Sequence, residues 1–234
     1  MKIIYDNYNE HYGDLRSLWG FSLYLEEYRL LFDTGSNGRV LLENMKALGI
    51  DIKEIRYLFI SHAHWDHIGG IDSVLELNPD LTLFVPQSLS KHLIRDLRTL
   101  AKEVVVIREK PQKLFDQLYT TGLLGEEVPE QSLIINSEKP VLITGCGHFG
   151  IANIVRRASE IIEKPIYLAV GGFHMMYSNK KEIEESIREL EKNGVSYVSP
   201  THCSGDRAIA MFAEHFSTHY IPGGIGADIH VNDI

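Results

Sequence analysis

Six consecutive residues, His62-Ala63-His64-Trp65-Asp66-His67, carry three imidazoles and one carboxylate. Both groups are ligands for Zn, and Mn or Fe suit the same set. On an extended backbone alternate side chains share a side, so His62, His64 and Asp66 point together. His67 turns with the start of the following helix toward a second position. That spacing suits two adjacent metals, or one metal beside an acid/base partner. The bland alternative is a polar loop with histidines by chance, and four donor groups within six residues argue against it.

Further candidates lie far along the chain. His148 follows Gly145 and Gly147, which let the backbone turn with positive φ and aim a side chain inward. The helix starting near Gly150 points free N–H groups toward the same place, which suits an anionic group. An ordinary glycine turn is the alternative there. His202 stands after Pro200 at a strand end. Asp33 either caps a turn or is a carboxylate that orients a ligand histidine. His174 is either a loop residue or a site residue. His11, His92 and His219 read as surface or core residues without chemistry, among eleven histidines in all.

The elements that must position these residues follow from periodicity and breakers. Strands are predicted at Lys2–Tyr5, Phe21–Glu26, Arg29–Phe32, Ile55–Ile60, Leu81–Val85, Glu103–Ile107, Leu133–Asn136, Val141–Thr144, Ile166–Val170 and Val195–Ser199. Terminal strands are expected around His219–Ile221 and Gly226–Val231. Helices are predicted at Val40–Leu48, from an Asp66 cap to Leu77, and at Ser88–Leu100, Ile151–Ile162, Lys181–Asn193 and Asp206–Phe216. The chain reads as α/β and as a single domain over 1–234, less regular at about 86–130, with Glu109–Glu130 as an irregular, lid-like connection. Asp33, the His62–His67 cluster, His148, His174 and His202 each fall just past the carboxyl end of a predicted strand. Ligands bind at that end in open α/β sheets. The expectation is therefore one edge of one sheet.

Composition narrows the function. The 234 residues carry a formal charge of −9, and no basic cluster is longer than Asn179-Lys180-Lys181, so no nucleic-acid partner is expected. No apolar run is long enough to span a membrane. Tyr5, Asp6 and Asn7 interrupt any signal-like stretch, and a cytoplasmic location is expected. Cys146 and Cys203, the two cysteines, make no disulfide framework. On an extended backbone Cys146 faces the side of His148, whereas Cys203 faces away from His202. Cys146 is either a soft ligand or a small buried residue, and Cys203 reads as a small buried residue.

Leu31-Phe32-Asp33-Thr34-Gly35 and Ser61-His62-Ala63-His64-Trp65-Asp66-His67-Ile68-Gly69-Gly70 resemble the first two motifs of the metallo-β-lactamase superfamily. His148 resembles its third motif and His202 its fifth. The resemblance implies an αββα metallo-β-lactamase sandwich, with a metal site of His62, His64, Asp66, His67, His148 and His202. Thr144–Val155, Val170–His174 and Ser199–Gly205, with Trp19–Ser22 and Leu42–Leu58, are similar to one branch. It is the branch of 7,8-dihydropterin-6-yl-methyl-4-(β-D-ribofuranosyl)aminobenzene 5′-phosphate synthase-like proteins. The chain departs from the superfamily where a bridging aspartate follows the strand placed at Ile166–Val170, because Gly171-Gly172 stands there instead.

What the resemblance implies is a metal-dependent enzyme acting on a phosphorylated small molecule, with one or two Zn ions, or Mn or Fe. The reaction would join a dihydropterin methyl diphosphate to an arylamine, with Asp66 or His174 as base. A metal-dependent hydrolase of a phosphoester, lactone or thioester uses the same residues. A metal or ligand sensor without turnover is the alternative of another class.

Overall fold

The computed structural model describes residues 1–9, 13 and 15–234; His11 lies outside the described residues. The chain divides into two compact units, Met1–Arg108 with Gly224–Ile229, and Glu109–Gly223 with His230–Ile234.

The first unit begins as an antiparallel meander of β1 (Lys2–Tyr5), β2 (Ser22–Leu25) and β3 (Leu30–Phe32). Then come α1 (Gly38–Ala47), β4 (Tyr57–Phe59), α2 (Trp65–Ile68), α3 (Ile71–Leu77), β5 (Thr82–Pro86), α4 (Lys91–Leu100) and β6 (Glu103–Ile107). The sheet order is β1-β2-β3-β4-β5-β6, and β3 to β6 run parallel, with Phe32 beside Phe59. Parallel strands joined by crossover helices are buried on both faces, and Leu30-Leu31-Phe32, Tyr57-Leu58-Phe59 and Leu83-Phe84-Val85 are apolar runs as that burial requires. One face packs Leu31, Leu58, Leu83 and Val85 against Leu41 and Met45 of α1, Val74 of α3, and Ile94 and Leu97 of α4. Each such fully buried side chain contributes about 1.5–3 kcal/mol. The other face carries Phe32, stacked on Phe59 at 5.2 Å and edge-on to Phe21 at 6.1 Å. Asn37 caps α1 by accepting from the Val40 amide, and Ser90 caps α4 from the Leu93 amide.

The second unit repeats this plan. An antiparallel meander of β7 (Gln112–Phe115), β8 (Leu118–Thr120), β9 (Leu133–Ile135) and β10 (Val141–Thr144) leads into α5 (Ile151–Ile162), β11 (Leu168–Gly172), α6 (Lys180–Lys192), β12 (Tyr197–Thr201) and α7 (Asp206–Phe216). The order is β12-β11-β10-β9-β8-β7, and β10, β11 and β12 are parallel. Ile154 and Val155 of α5, Ile183 and Ile187 of α6, and Ala208 and Phe212 of α7 pack on Leu142, Ala169 and Val198. A reciprocal capping box of Asn179 and Glu182 starts α6. Among the described residues, no helix is long and apolar enough to cross a membrane.

Several expectations need correction. The donor residues lie on two sheets, not one: Asp33 and His62–His67 follow β3 and β4, whereas Cys146, His148, His174 and His202 follow β10, β11 and β12. Asp66 is inside the first turn of α2, and His64 holds the cap position. The helix expected to Leu77 breaks at Gly69-Gly70 and restarts as α3. β11 and β12 lie two residues later than expected, because Gly171, Gly172 and Pro200 read as breakers. Gly171 pairs with Thr144 within the ladder, and Pro200 is tolerated because β12 is an edge strand. The segment read as irregular contains the β7–β8 hairpin, whose Gln112 and Lys113 are exposed and give no apolar alternation. The expected terminal strands are single bridges, Val198 with Tyr220 and Lys2 with Asp228.

The break at Gly69-Gly70 sets the path of the histidine segment. A Cβ on Gly70 would stand 2.6 Å from the Thr34 carbonyl oxygen, and one on Gly69 2.4 Å from that of Ser36. Gly70→Ala should therefore cost about 1–3 kcal/mol of stability through overpacking. The denaturant midpoint measures this, and an unchanged midpoint would show that the close approach is not needed.

Candidate metal centre

In the first unit one carboxylate organises the donors. Asp33 follows β3 with its own amide bonded to the Phe59 carbonyl at 2.8 Å, and its side chain is fully buried. Its Oδ1 accepts the Ser61 amide at 2.7 Å, and its Oδ2 accepts the Ser61 hydroxyl at 2.6 Å and His67 Nδ1–H at 2.7 Å. The single Ser61 hydroxyl proton is thereby committed to Asp33. The contact of Ser61 Oγ with His62 Nδ1 at 2.9 Å must then be donated by the imidazole. Both His62 and His67 consequently carry their proton on Nδ1, which places the lone pair of each on Nε2.

The remaining residues of the segment gather on this pair. His62 Nε2 and His64 Nδ1 are 3.0 Å apart, and the His62 ring lies 4.6 Å from that of His64 and 4.2 Å from that of His67. Asp66 Oδ2 is 3.7 Å from His67 Nε2. His62 and His67 are fully buried, Asp66 is nearly so, and His64 is exposed. Ligands on a tetrahedral zinc at Zn–N of about 2.0–2.1 Å stand about 3.3 Å from each other. The spacing of the His62 and His64 nitrogens fits two ligands of one ion, and the donor chemistry fits zinc.

The second unit gathers its own donors. Ligand atoms of Cys146, His148 and His174 lie within 4.8 Å of one another, and so do those of Cys146, His202 and Cys203. The His148 and His174 rings are 4.2 Å apart. His202 opens a 3-10 turn, His202–Ser204, at φ 52°. The backbone there is not extended, so Cys203 does not face away as expected. Its sulfur reaches the Cys146 carbonyl at 3.4 Å. Burial alone would push the Cys203 thiol up, yet hydrogen bonds with Cys146 and His174 and the charge of His202 bring it well below its ordinary range. The same contact with Cys203 raises His174, against partial desolvation.

Asp33, His174 and His202 hold positive φ, at 54°, 52° and 52°. This left-handed region is strained for residues with a Cβ, and such strain clusters at functional sites. The position expected for a bridging aspartate has no room for one. A Cβ on Gly172 would lie 2.4 Å from the Gly145 carbonyl oxygen and 2.7 Å from Cys203 Sγ.

Two contributors escaped the sequence reading. Ser61 lies within the quoted motif, but its part in setting the His62 tautomer shows only in the contact to Asp33. Glu130 is buried, and its carboxylate accepts three successive amides: Cys146 at 2.8 Å, Gly147 at 3.0 Å and His148 at 2.9 Å. It fixes the loop that carries two donors. The only signal was an acidic residue three positions before an apolar strand, and nothing in its spacing points 16 residues ahead.

Comparison with known proteins agrees with this arrangement. The model of the metallo-beta-lactamase superfamily matches residues 22–202. The match spans every donor from Asp33 to His202, and the chain belongs to that superfamily. The 7,8-dihydropterin-6-methyl-4-(beta-D-ribofuranosyl)-aminobenzene-5'-phosphate synthase of Methanocaldococcus jannaschii is 29% identical, over 82% of this chain and 81% of its own. The structure of Tm1679, described as a metal-dependent hydrolase of the beta-lactamase superfamily, superimposes with a TM-score of 0.82 over 98% of both chains at 25% identity. The metallo-beta-lactamase fold protein YhfI from Bacillus subtilis shares the fold, at a TM-score of 0.69 over 97% of both chains and 15% identity. The expected α/β fold of the metallo-β-lactamase type therefore holds.

Two substitutions test the supports. Asp33→Asn places an amide donor against Ser61 or His67 and releases the histidine tautomers. Metal affinity should fall by about 10–100-fold, read by chelator competition, while circular dichroism stays unchanged. Equal affinity would reduce Asp33 to a turn residue. Glu130→Gln turns a donor toward the amide row and should cost about 1.5–3 kcal/mol. Hydrogen exchange should show lost protection at the amides of residues 146–148, and unaltered exchange there would contradict the role given to Glu130.

Proposed function

We propose that this superfamily member is a metal-dependent enzyme acting on a phosphorylated small molecule, and that it transfers a dihydropterin-methyl unit from its diphosphate to an arylamine. The observation that carries metal dependence is the Asp33–Ser61–His62 and Asp33–His67 network, which presents two imidazoles in the ligand tautomer. In this reading His62, His64, Asp66, His67, His148 and His202 hold the metal, zinc first, as one or two ions. A bound dication supplies Lewis acidity toward the diphosphate leaving group.

The substrate class rests on two supports. One is the similarity to the archaeal synthase over most of both chains. The other is the exposed aromatic residues close after donor histidines in the chain: Trp65 next to His64, Phe149 next to His148, and Tyr177 three residues after His174, at 62%, 41% and 95% exposure. Exposed aromatic rings beside polar donors suit the stacking of a flat heteroaromatic ring. In the transfer, a C–N bond forms at the arylamine, the C–O bond to diphosphate breaks, and the amine proton passes to Asp66 or His174. A net charge of −9 favours a small substrate over nucleic acid.

The likeness to Tm1679 favours a second reading, metal-dependent hydrolysis. Purified protein loaded with zinc, given dihydropterin-methyl diphosphate with and without the arylamine, separates the two. Pyrophosphate release that requires arylamine, with the coupled product seen by mass spectrometry, is expected. Release in its absence establishes hydrolysis, and tight binding with no metal-dependent turnover marks a sensor. His62→Ala with His64→Ala should remove most bound metal and the activity with it. Wild-type metal content in that variant, by elemental analysis, would overturn the ligand assignment.

A further inference from the structure

We propose that the second unit contains a thiolate metal subsite in which Cys146 and Cys203, with His202, bind one zinc-like dication. The inference rests on the chain being a metalloprotein, and it is independent of the substrate.

The geometry points there first. The donor atoms of Cys146, His202 and Cys203 all lie within 4.8 Å of one another. A tetrahedral zinc with Zn–S of about 2.3 Å holds two sulfurs about 3.8 Å apart, so this spacing admits an ion with little rearrangement. The three side chains are 3%, 0% and 6% exposed. A dication in such a place needs its charge cancelled, and two thiolates supply the two negative charges that do so.

The surroundings are built for sulfur. A cysteine serving as a small apolar filler is lined by apolar groups. The Cys203 sulfur instead lies against a polar group, the Cys146 carbonyl oxygen at 3.4 Å. Gly172 leaves open the volume that the sulfur occupies, since a Cβ there would come within 2.7 Å of it. The Gly172 carbonyl is held by the Thr144 hydroxyl at 2.8 Å. The Phe173 amide is held by Ser204 Oγ at 3.0 Å, and that hydroxyl donates to the Thr201 carbonyl at 2.7 Å. Glu130 fixes the amides of residues 146–148 on the other side. Both cysteine loops are thus pinned by side chains that are not themselves donors. Cys146 also belongs to the group with His148 and His174, which makes its sulfur the donor common to both sets.

The test is anaerobic titration of the full-length protein with Co(II), which reports thiolate ligands by charge-transfer absorption in the near ultraviolet. Wild-type protein should develop that band at stoichiometric cobalt. Cys146→Ser should abolish most of it and Cys203→Ser about half. Cobalt binding without the band, or a band that survives Cys146→Ser, overturns the proposal. Should a serine variant fail to fold, wild-type protein decides: both thiols should resist iodoacetamide while zinc is bound and react after chelation. Equal reaction rates with and without zinc would sink the idea, as would recovery of the pair as a disulfide from protein kept under reductant.

Discussion

Asp33 is fully buried, and both of its carboxylate oxygens are committed to the segment that follows β4. A buried carboxylate is costly unless each acceptor site is filled, and here the filling groups are a backbone amide, a hydroxyl and an imidazole N–H. Satisfying Asp33 therefore decides the tautomer of two histidines. It also sets the direction of the chain beyond β4, because Ser61 is held by backbone and side chain together. The Thr34 amide and hydroxyl add a second tie by bonding to the His67 carbonyl at 2.8 and 2.9 Å. The parallel pairing of β3 with β4 brings these groups side by side, and the apolar runs Leu30–Phe32 and Tyr57–Phe59 make that pairing.

The two units solve the same problem with different chemistry. Each opens with an antiparallel meander and continues with parallel strands joined by helices, so each has a row of strand carboxyl ends where the backbone leaves the sheet. The first unit places imidazoles and carboxylates there, and the second places imidazoles and thiols. The polar support differs too: Asp33 acts through side chains, whereas Glu130 acts through three backbone amides. No repeat is visible in the sequence, because the shared plan is one of strand order and connection, which many sequences satisfy.

Much of this was legible beforehand. The segment His62–His67 declares itself by donor density, and β6, β10, α5 and α7 match their predicted bounds because apolar periodicity and flanking breakers agree there. Local pattern pointed to one sheet where there are two, since strand position in a sheet depends on long-range pairing; only the family resemblance, with its αββα sandwich, implied the second sheet. Glycine misled in two directions. Gly69-Gly70 stops a helix that periodicity would continue, while Gly171-Gly172 continues a strand that composition would stop. Glu130 and the inward turn of Cys203 were hidden for a related reason: both depend on backbone geometry at residues distant in sequence or held at unusual φ.

Those unusual torsions have a bearing on how the protein would respond to selection. Asp33, His174 and His202 each occupy the left-handed region, at a cost of about 1–3 kcal/mol apiece, against a typical total stability of roughly 5–15 kcal/mol. Glycine would relieve each position and remove a donor or its support. A population of variants screened for thermal endurance alone would therefore drift toward glycine at 33, 174 and 202. It would become hardier there as it lost its chemistry, whereas the same change at Arg29, Asp116, Glu163 and Ser217, which share the torsion, would remove no donor.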